Sequence, residues 1–168
     1  MAKESSNSIL IIGGGLIGLA LAHELAEYGQ NVEVLSRNRK EAAGFVAAGM
    51  LAPHAEGLQG SLLDIAKLSL NLIPEWVSRI EANSSVNCGL KMSGIIVPFA
   101  DKISRDSFSN AAFGKQLNQA QLEREIPGIA SHWKAGLLFK EEGQIDNRRH
   151  LMRALKKACI GLGVQFQE

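Results

Sequence analysis

The hydrophobic pattern at the start of the chain predicts a strand, a helix and a second strand. Residues 9–12 form a short apolar run between a polar N-terminus and three glycines, which is typical of a strand buried on both faces of a parallel sheet. Residues 16–28 follow as a helix, and Gly29 takes the position where glycine commonly ends helices. Residues 32–35 supply the second strand. The spacing therefore predicts a tight βαβ unit with a right-handed crossover.

A longer periodic pattern occupies the middle of the chain. Apolar residues recur at helical spacing between residues 62 and 80, after a start at Ser61 and Asp64 that resembles a capping box. The pattern predicts a long helix that bends near Pro74. Its periodic apolar positions are Leu62, Ile65, Leu68, Leu72, Trp76 and Ile80.

The rest of the chain mixes short strands and helices. The predicted elements are a strand at 93–100, a helix at 119–125, a strand at 136–139, a helix at 147–162 and a strand at 164–166. Pro98 indicates an edge strand because proline lacks the N–H that a central strand needs. Pro127 stops the shorter helix, and Asp146 can cap the final one.

The last predicted strand bears on the organisation of the whole chain. It should join the first two strands as the third of a doubly wound sheet, but the sequence ends two residues after it. An uncovered edge strand is a liability that whole domains avoid. We therefore expect the chain to be the front part of a longer protein.

Composition and charge narrow the classes of partner. The chain has 168 residues, with 18 Lys and Arg against 17 Asp and Glu, so its net charge is +1. No basic surplus exists to neutralise a nucleic-acid backbone, and we expect no nucleic-acid partner. With 46% hydrophobic and 21% charged residues, it resembles an ordinary soluble globular chain.

The apolar runs and the two cysteines indicate the compartment. The glycines at 13–15 interrupt the only apolar stretch near the N-terminus, so we expect neither a secretory signal nor a membrane span. Cys88 and Cys159 lie far apart and in no metal-ligand spacing. A disulfide framework and a zinc site are therefore not expected, and a reducing cytosol fits this composition.

The glycines between the first strand and the first helix carry a candidate chemistry. Residues 13–18 satisfy G-x-G-x-x-G in the strand–turn–helix context that dinucleotide binding requires. Gly13 permits the sharp turn, Gly15 lets the backbone approach a pyrophosphate, and Gly18 lets helix and strand pack closely. The anion would lie on the N–H groups of the helix N-terminus. The motif predicts a dinucleotide site.

The end of the second strand leaves the choice of dinucleotide open. An acid that binds the ribose hydroxyls is expected about 20 residues past the glycines. Ser36 and Arg37 stand there instead, and Glu33 lies too early, inside the strand. Taken alone, a serine and an arginine at this place favour a 2′-phosphate and therefore NADP.

A segment further on favours a different cofactor. Residues 47–56 read A-A-G-M-L-A-P-H-A-E, and with the glycine motif they resemble the glycine oxidase branch of the D-amino acid oxidase family, the ThiO-type flavoenzymes of thiamine biosynthesis. The stretches at 74–76 and 143–149 also resemble its cyanobacterial members, which often carry Ser-Arg in place of the usual acid. The resemblance covers nearly the whole chain but only about the first half of the family's length.

The resemblance implies FAD as the cofactor, with contacts at matching positions. Leu16 and Ile17 would meet the pyrophosphate through backbone N–H groups, and Ser36 and Arg37 would lie at the adenosine ribose. Ala52 matches a position near the substrate. The remaining implied FAD contacts, besides Gly13, Gly15 and Gly18, are Ala43, Gly44, Ala48, Gly49 and Met50.

The resemblance also implies a fold and its division. We expect an α/β fold with a Rossmann-type FAD-binding βαβ unit and part of an inserted α+β substrate domain. Residues 1–45 and 143–168 would form the FAD-binding portion, and residues 46–142 would hold an FAD-contacting loop and the start of the substrate domain. About a hundred residues separate the second strand from the final helix, more than a plain nicotinamide half-domain needs.

The implied reaction is oxidative deamination of glycine or a similar small amino acid to an imine, with oxygen reduced to hydrogen peroxide. The arginine that grips the substrate carboxylate belongs to the family's C-terminal half, and no arginine here matches that motif. We therefore assign no catalytic residue and no metal ligand, and expect no turnover by this chain alone. The sequence leaves a homo-oligomer open. The alternatives are an NADP-dependent reductase or nucleotide-binding module, or a non-catalytic truncated remnant.

Overall fold

The computed structural model describes residues 8–38, 41–146 and 150–167. Its strands are β1 (Ser8–Ile12), β2 (Asn31–Leu35), β3 (Met50–Leu51), β4 (Ile95–Phe99), β5 (Lys115–Asn118), β6 (Ala135–Phe139), β7 (Gly143–Gln144) and β8 (Gln165–Gln167). Its α-helices are α1 (Leu16–Glu27), α2 (Gly60–Ser84), α3 (Lys102–Asp106), α4 (Gln119–Glu125) and α5 (Met152–Gly161). In the described part of the chain, no helix is long and apolar enough to cross a membrane.

The chain divides into two compact units, and the first contains the predicted βαβ start. This unit takes residues 1–49, 75–89 and 145–168. Its sheet has the order β1-β2-β8, with both pairs parallel. The predicted third strand therefore does join the first two. Helices α1 and α5 pack together against this sheet around a buried cluster made of Ile11, Ala22, Ala26, Val32, Val34, Cys159 and Val164.

The second unit is built on an antiparallel sheet. It takes residues 50–74 and 90–144. Strand β6 lies between β4 and β5, so Pro98 of β4 is on an edge strand as predicted. Short strands β3 and β7 form a separate antiparallel pair. The unit buries Leu117, Leu122 and Leu137 completely or nearly so.

Several predicted boundaries and contacts differ from the structure. Helix α2 begins at Gly60, so Ser61 lies inside its first turn and the predicted capping box there is wrong. The helix continues through Pro74 to Ser84. Helix α5 begins at Met152, and residues 147–149 of the predicted final helix lie outside the described residues. Strand β5 and helix α3 were not predicted, because their sequences have no marked apolar period.

Candidate nucleotide-binding site

A cleft opens in the first unit where β1 and β2 end. It has a volume of about 1240 Å³ and is lined by the glycine loop, the first turn of α1, the end of β2 and the chain from Glu41 to Gly44, with Ala47. The carboxyl ends of parallel strands are where α/β sheets bind nucleotides. Predicted site residues from distant parts of the sequence therefore meet in one place.

The glycine loop has the geometry that its sequence predicts. Gly13 has a φ of 112°, a conformation that favours glycine, and its N–H donates to the carbonyl of Leu35 at 2.8 Å. A Cβ on Gly18 would lie 1.9 Å from the carbonyl oxygen of Gly13. A Cβ on Gly15 would meet its nearest neighbour, Ala42, at an ordinary 3.7 Å. Gly18 is therefore required by packing, whereas Gly15 keeps the cleft open.

The start of α1 presents unbonded N–H groups to this cleft. The helix begins at Leu16, and its first backbone bond runs from Leu19 N–H to Gly15 O at 2.9 Å. The N–H groups of Leu16, Ile17 and Gly18 precede that bond and have no partner within the helix. Gly15 is the N-cap residue and has no side chain with which to cap them. This arrangement suits a pyrophosphate, because the helix dipole adds a partial positive charge.

The end of β2 holds the predicted ribose contacts and one residue that the sequence did not single out. Ser36 is buried, and its N–H donates to Gln167 O at 2.9 Å. Arg37 is exposed, and its Nη2 lies 3.4 Å from Oε2 of Glu41. Asn38 donates through Nδ2 to Oε1 of the same carboxylate at 2.8 Å. The carboxylate of Glu41, which lies five positions after Ser36 in the sequence, is therefore present beside the end of β2.

The remaining predicted cofactor residues fall into two groups. Ala43 and Gly44 line the same cleft, in a 3-10 turn at Ala43–Phe45. A Cβ on Gly44 would approach Met152 Sδ at 2.9 Å, so glycine lets this turn pack on α5. Ala48 is exposed and Gly49 is half-buried, and the lining of the cleft ends before them, at Ala47.

Met50 and Ala52 belong to the second unit. They line a smaller cleft of about 210 Å³, together with residues from the first half of α2. Met50 pairs with Gln144 and Leu51 with Gly143, so the end of β3 is fixed by β7. A Cβ on Gly143 would lie 2.2 Å from the carbonyl of Lys91, so only glycine fits there.

A buried carboxylate holds the loop that follows Ala52. The side chain of Glu142 is 1% exposed and accepts hydrogen bonds from the backbone N–H groups of His54 and Ala55. Nδ1 of the His54 ring lies 3.0 Å from Oε1 of the same group. Glu56 lies only two residues from His54, yet the partner of His54 is Glu142. Its 88-residue separation from His54 leaves no sequence signal for this pair.

A second group of ionisable side chains joins α1 to the C-terminal half of α2. His23 is fully buried, and its Nδ1 lies 3.7 Å from carboxylate oxygens of Glu24 and Glu27. Arg79 binds both carboxylates, with Nη2 at 2.8 Å from Glu24 Oε1, which raises the arginine pKa chiefly through that hydrogen bond. Asn83 lies 3.1 Å from Nε2 of His23. His23, Glu24 and Glu27 lie close enough to share a metal ion, but here the guanidinium of Arg79 binds both carboxylates.

A match to a known protein family shows which family this chain belongs to. A model of the family described as "DAO: FAD dependent oxidoreductase" matches residues 8–168. The chain belongs to this family. The FAD dependence of the family is consistent with the positive φ of Gly13, the close packing at Gly18 and the uncapped start of α1, an arrangement typical of dinucleotide-binding folds.

Individual relatives of this chain agree with the family assignment. The chain is 39% identical over 168 residues to the bifunctional protein ThiO/ThiG of Synechocystis, covering 98% of this chain and 25% of that protein. It is 26% identical over 172 residues to glycine oxidase of Geobacillus kaustophilus, covering 95% of this chain and 45% of that enzyme. The chain thus spans from a quarter to just under half of the length of these relatives.

A solved structure shows that the fold is shared as well. The crystal structure of glycine oxidase from Bacillus cereus superposes with a TM-score of 0.85 at 19% identity, covering 98% of this chain and 47% of that one. The expected fold class, a Rossmann-type FAD-binding region with part of an α+β domain, is confirmed. The resemblance stated from the sequence to the glycine oxidase branch is confirmed with it.

Proposed function

We propose that this chain forms the front part of an FAD-dependent amino acid oxidase of the glycine oxidase type, acting in thiamine thiazole biosynthesis. The observation that carries the proposal is the cleft, where the uncapped start of α1 and the glycine loop lie beside the end of β2. The substrate class, glycine or a similar small amino acid, rests on the names of the relatives. The two free, buried thiols suit the reducing cytosol.

The residues of the cleft have separate tasks in this proposal. The N–H groups of Leu16 and Ile17 bind the pyrophosphate, and Ser36 and Arg37 lie toward the adenosine ribose. Ala43 and Gly44 complete the wall beside them. We also propose that Ala48, Gly49 and Met50 contact FAD, and that Ala52 lies near the substrate. FAD, when bound, would supply an acceptor for the hydride that leaves the α-carbon of the amino acid.

The proposed division of labour keeps the boundaries inferred from the sequence. Residues 1–45 and 143–168 bind the cofactor, while residues 46–142 include the loop that contacts FAD and the start of the substrate domain. We propose that the residues that grip the substrate carboxylate belong to the part of the family's length that these 168 residues do not span. We therefore propose that residues 1–168 alone bind FAD without oxidising glycine.

The test is calorimetric titration of the full chain with FAD and with ADP, followed by a peroxide assay with glycine. We expect one nucleotide per chain and no peroxide, since the proposal assigns the pyrophosphate-binding loop to this chain and the substrate-carboxylate site to another part of the family's length. Absence of binding by both nucleotides would overturn the proposed cofactor and favour a non-catalytic remnant. Peroxide formation that depends on glycine would overturn the proposed lack of turnover.

A further inference from the structure

We propose that Glu41 sets the nucleotide specificity of the cleft. In this proposal its carboxylate takes the place of the acid missing from the end of β2 and rejects adenosine that carries a 2′-phosphate. The proposal rests on the nucleotide binding proposed above, and it concerns a residue that the glycine motif does not predict.

The ribose of a bound nucleotide is expected near the end of the second strand. In nucleotide-binding sheets of this type, an acid at this end of the strand binds the ribose 2′-hydroxyl. Ser36 directly follows Leu35, the last residue of β2, and its buried side chain carries no charge. The end of β2 therefore lacks the strong acceptor that normally selects a free 2′-hydroxyl.

Glu41 lies beside this end of β2. Glu41 is part of the cleft lining, and its carboxylate binds the two residues that directly follow Ser36. Asn38 holds Oε1 at 2.8 Å, and Arg37 lies 3.4 Å from Oε2. The backbone also fixes the residue, since the N–H of Glu41 donates to the carbonyl of Asn38 at 3.2 Å. Two side-chain contacts thus hold the carboxylate beside the end of β2, and one backbone hydrogen bond holds the residue itself.

The third step concerns the capacity of this carboxylate for a ligand. The Glu41 side chain is 60% exposed, so a ligand can reach it. A carboxylate offers about four acceptor positions, and contacts from the described residues Arg37 and Asn38 use two of them. Glu41 can therefore accept hydrogen bonds from ribose hydroxyls while it keeps both neighbours.

The fourth step concerns charge. Arg37 alone would attract a 2′-phosphate, because arginine binds phosphate oxygens in a bidentate manner. Glu41 pairs with that guanidinium at 3.4 Å, so Arg37 is less available to a phosphate. Because a carboxylate accepts hydrogen bonds from hydroxyl groups and repels phosphate oxygens, Glu41 should select an adenosine with a free 2′-hydroxyl.

The experiment compares two ligands that differ only in the 2′-phosphate. ADP-ribose and 2′-phospho-ADP-ribose are titrated into the full chain, into Glu41→Gln, into Arg37→Gln and into a control, Glu125→Gln, an exposed acid of α4 in the second unit. Glutamine preserves the size of each acid, and Glu41 is exposed, so we expect unchanged thermal unfolding. That unfolding is measured for every variant.

We expect the unmodified chain and the control to prefer ADP-ribose by about tenfold or more, as a site built for a hydroxyl rejects the wrong group. Glu41→Gln should bind ADP-ribose more weakly and 2′-phospho-ADP-ribose more tightly. The ratio of the two affinities should therefore fall at least fivefold, which corresponds to about 1 kcal/mol as RT ln 5. Arg37→Gln should bind 2′-phospho-ADP-ribose more weakly than the unmodified chain does.

Three results would count against the proposal, and they can be told apart. A preference that changes less than twofold in Glu41→Gln overturns the role of Glu41 alone. Tighter binding of the 2′-phospho ligand by the unmodified chain overturns it too and favours an NADP site. No binding of ADP-ribose, ADP or FAD overturns the proposed nucleotide site and this specificity with it.

Discussion

At the residue scale, two glycines of one motif differ in what a side chain would meet. A methyl group on Gly18 would collide with the backbone oxygen of Gly13 at 1.9 Å, whereas one on Gly15 would make an ordinary contact at 3.7 Å. Gly15 also has a φ of −80°, which any residue adopts. We expect Gly18→Ala to lower the free energy of unfolding by about 1–3 kcal/mol, and Gly15→Ala to lower it by less than about 0.5 kcal/mol.

Nucleotide binding should rank the same two variants differently. Gly15→Ala adds a methyl group to the wall of the cleft, where the backbone must approach the pyrophosphate. We therefore expect this variant to stay folded but to bind ADP at least tenfold more weakly. Urea unfolding and calorimetry on both variants provide the measurement. A Gly15→Ala protein that binds ADP normally would show that this wall does not face the ligand.

Loss of the Glu142 side chain should destabilise the second unit. Its buried carboxylate is the acceptor for two backbone N–H groups and for the ring of His54. Glu142→Ala leaves these donors buried without a partner, and each such group costs about 1–3 kcal/mol. We expect urea unfolding to show a loss of about 2–5 kcal/mol, in line with a broken buried network.

The neighbouring acid provides a control for that loss. Glu141 is exposed, so Glu141→Ala should change the unfolding free energy by less than about 0.5 kcal/mol. Glu142→Gln keeps one acceptor oxygen and should fall between the two variants. Equal stability of Glu142→Ala and Glu141→Ala would mean that the loop after Ala52 does not depend on this carboxylate.

At the element scale, helix α2 shows what hydrophobic periodicity predicts and what it does not. The apolar positions correctly predicted a long helix, yet Leu62, Ile65, Leu68 and Leu72 are between 58% and 66% exposed. Of the predicted positions Ile80 is fully buried, and Leu70 and Val77, which lie outside the predicted stripe, are buried as well. Periodicity identifies an apolar stripe but carries no information about which stripe the rest of the chain covers.

Two truncations on this helix test that assignment. Ile80→Ala removes a side chain that is 0% exposed, and we expect a loss of about 2–5 kcal/mol in the urea unfolding free energy. Leu68→Ala removes one that is 61% exposed, and we expect a loss below about 0.5 kcal/mol. A large loss for Leu68→Ala would show that the exposed stripe is covered in solution.

Local signals explain which other elements were predictable. Strands β1 and β2 and helix α1 were predicted because an apolar run, a glycine turn and a helix-ending Gly29 follow one another within 27 residues. The pairing of β3 with β7 was not, since each has two residues and the two lie far apart in sequence. The hydrogen bonds between Glu142 and the loop after Ala52 were not predicted either, because the two segments lie far apart in sequence. Contacts over long separations are decided by the fold and leave no periodic trace.

At the scale of the whole molecule, both units are discontinuous in sequence, and each draws on separated segments. Both cysteines lie in the first unit and are fully buried. Cys159 belongs to the cluster under α1 and α5, and Cys88 lies beside Glu81, whose Oε1 accepts its backbone N–H at 2.7 Å. The two thiols therefore report on the integrity of the sheet that carries the nucleotide cleft.

Thiol labelling provides a test of that integrity. Burial raises the pKa of Cys88 to about 11, with a smaller contribution from the charge of Glu81, and burial raises the pKa of Cys159 to about 12. At pH 8 only on the order of a thousandth or less of each group is thiolate, the reactive form. We expect a disulfide reagent to label neither thiol at pH 8 until urea unfolds the first unit, when both react. Rapid labelling without urea would contradict the packing described here.

The same pKa shifts fix the sign of an alkaline effect on stability. Both folded-state pKa values lie above the ordinary value of 9.0, so the folded chain holds these protons more tightly than the unfolded one. Their contribution to stability is complete below pH 9 and is lost as the pH rises toward 11 and 12. We expect the unfolding free energy of the unmodified chain to fall across this window. A double variant, Cys88→Ala with Cys159→Ala, should be less stable at pH 8 and show a shallower decline. An equally steep decline in that variant would assign the alkaline loss to other groups.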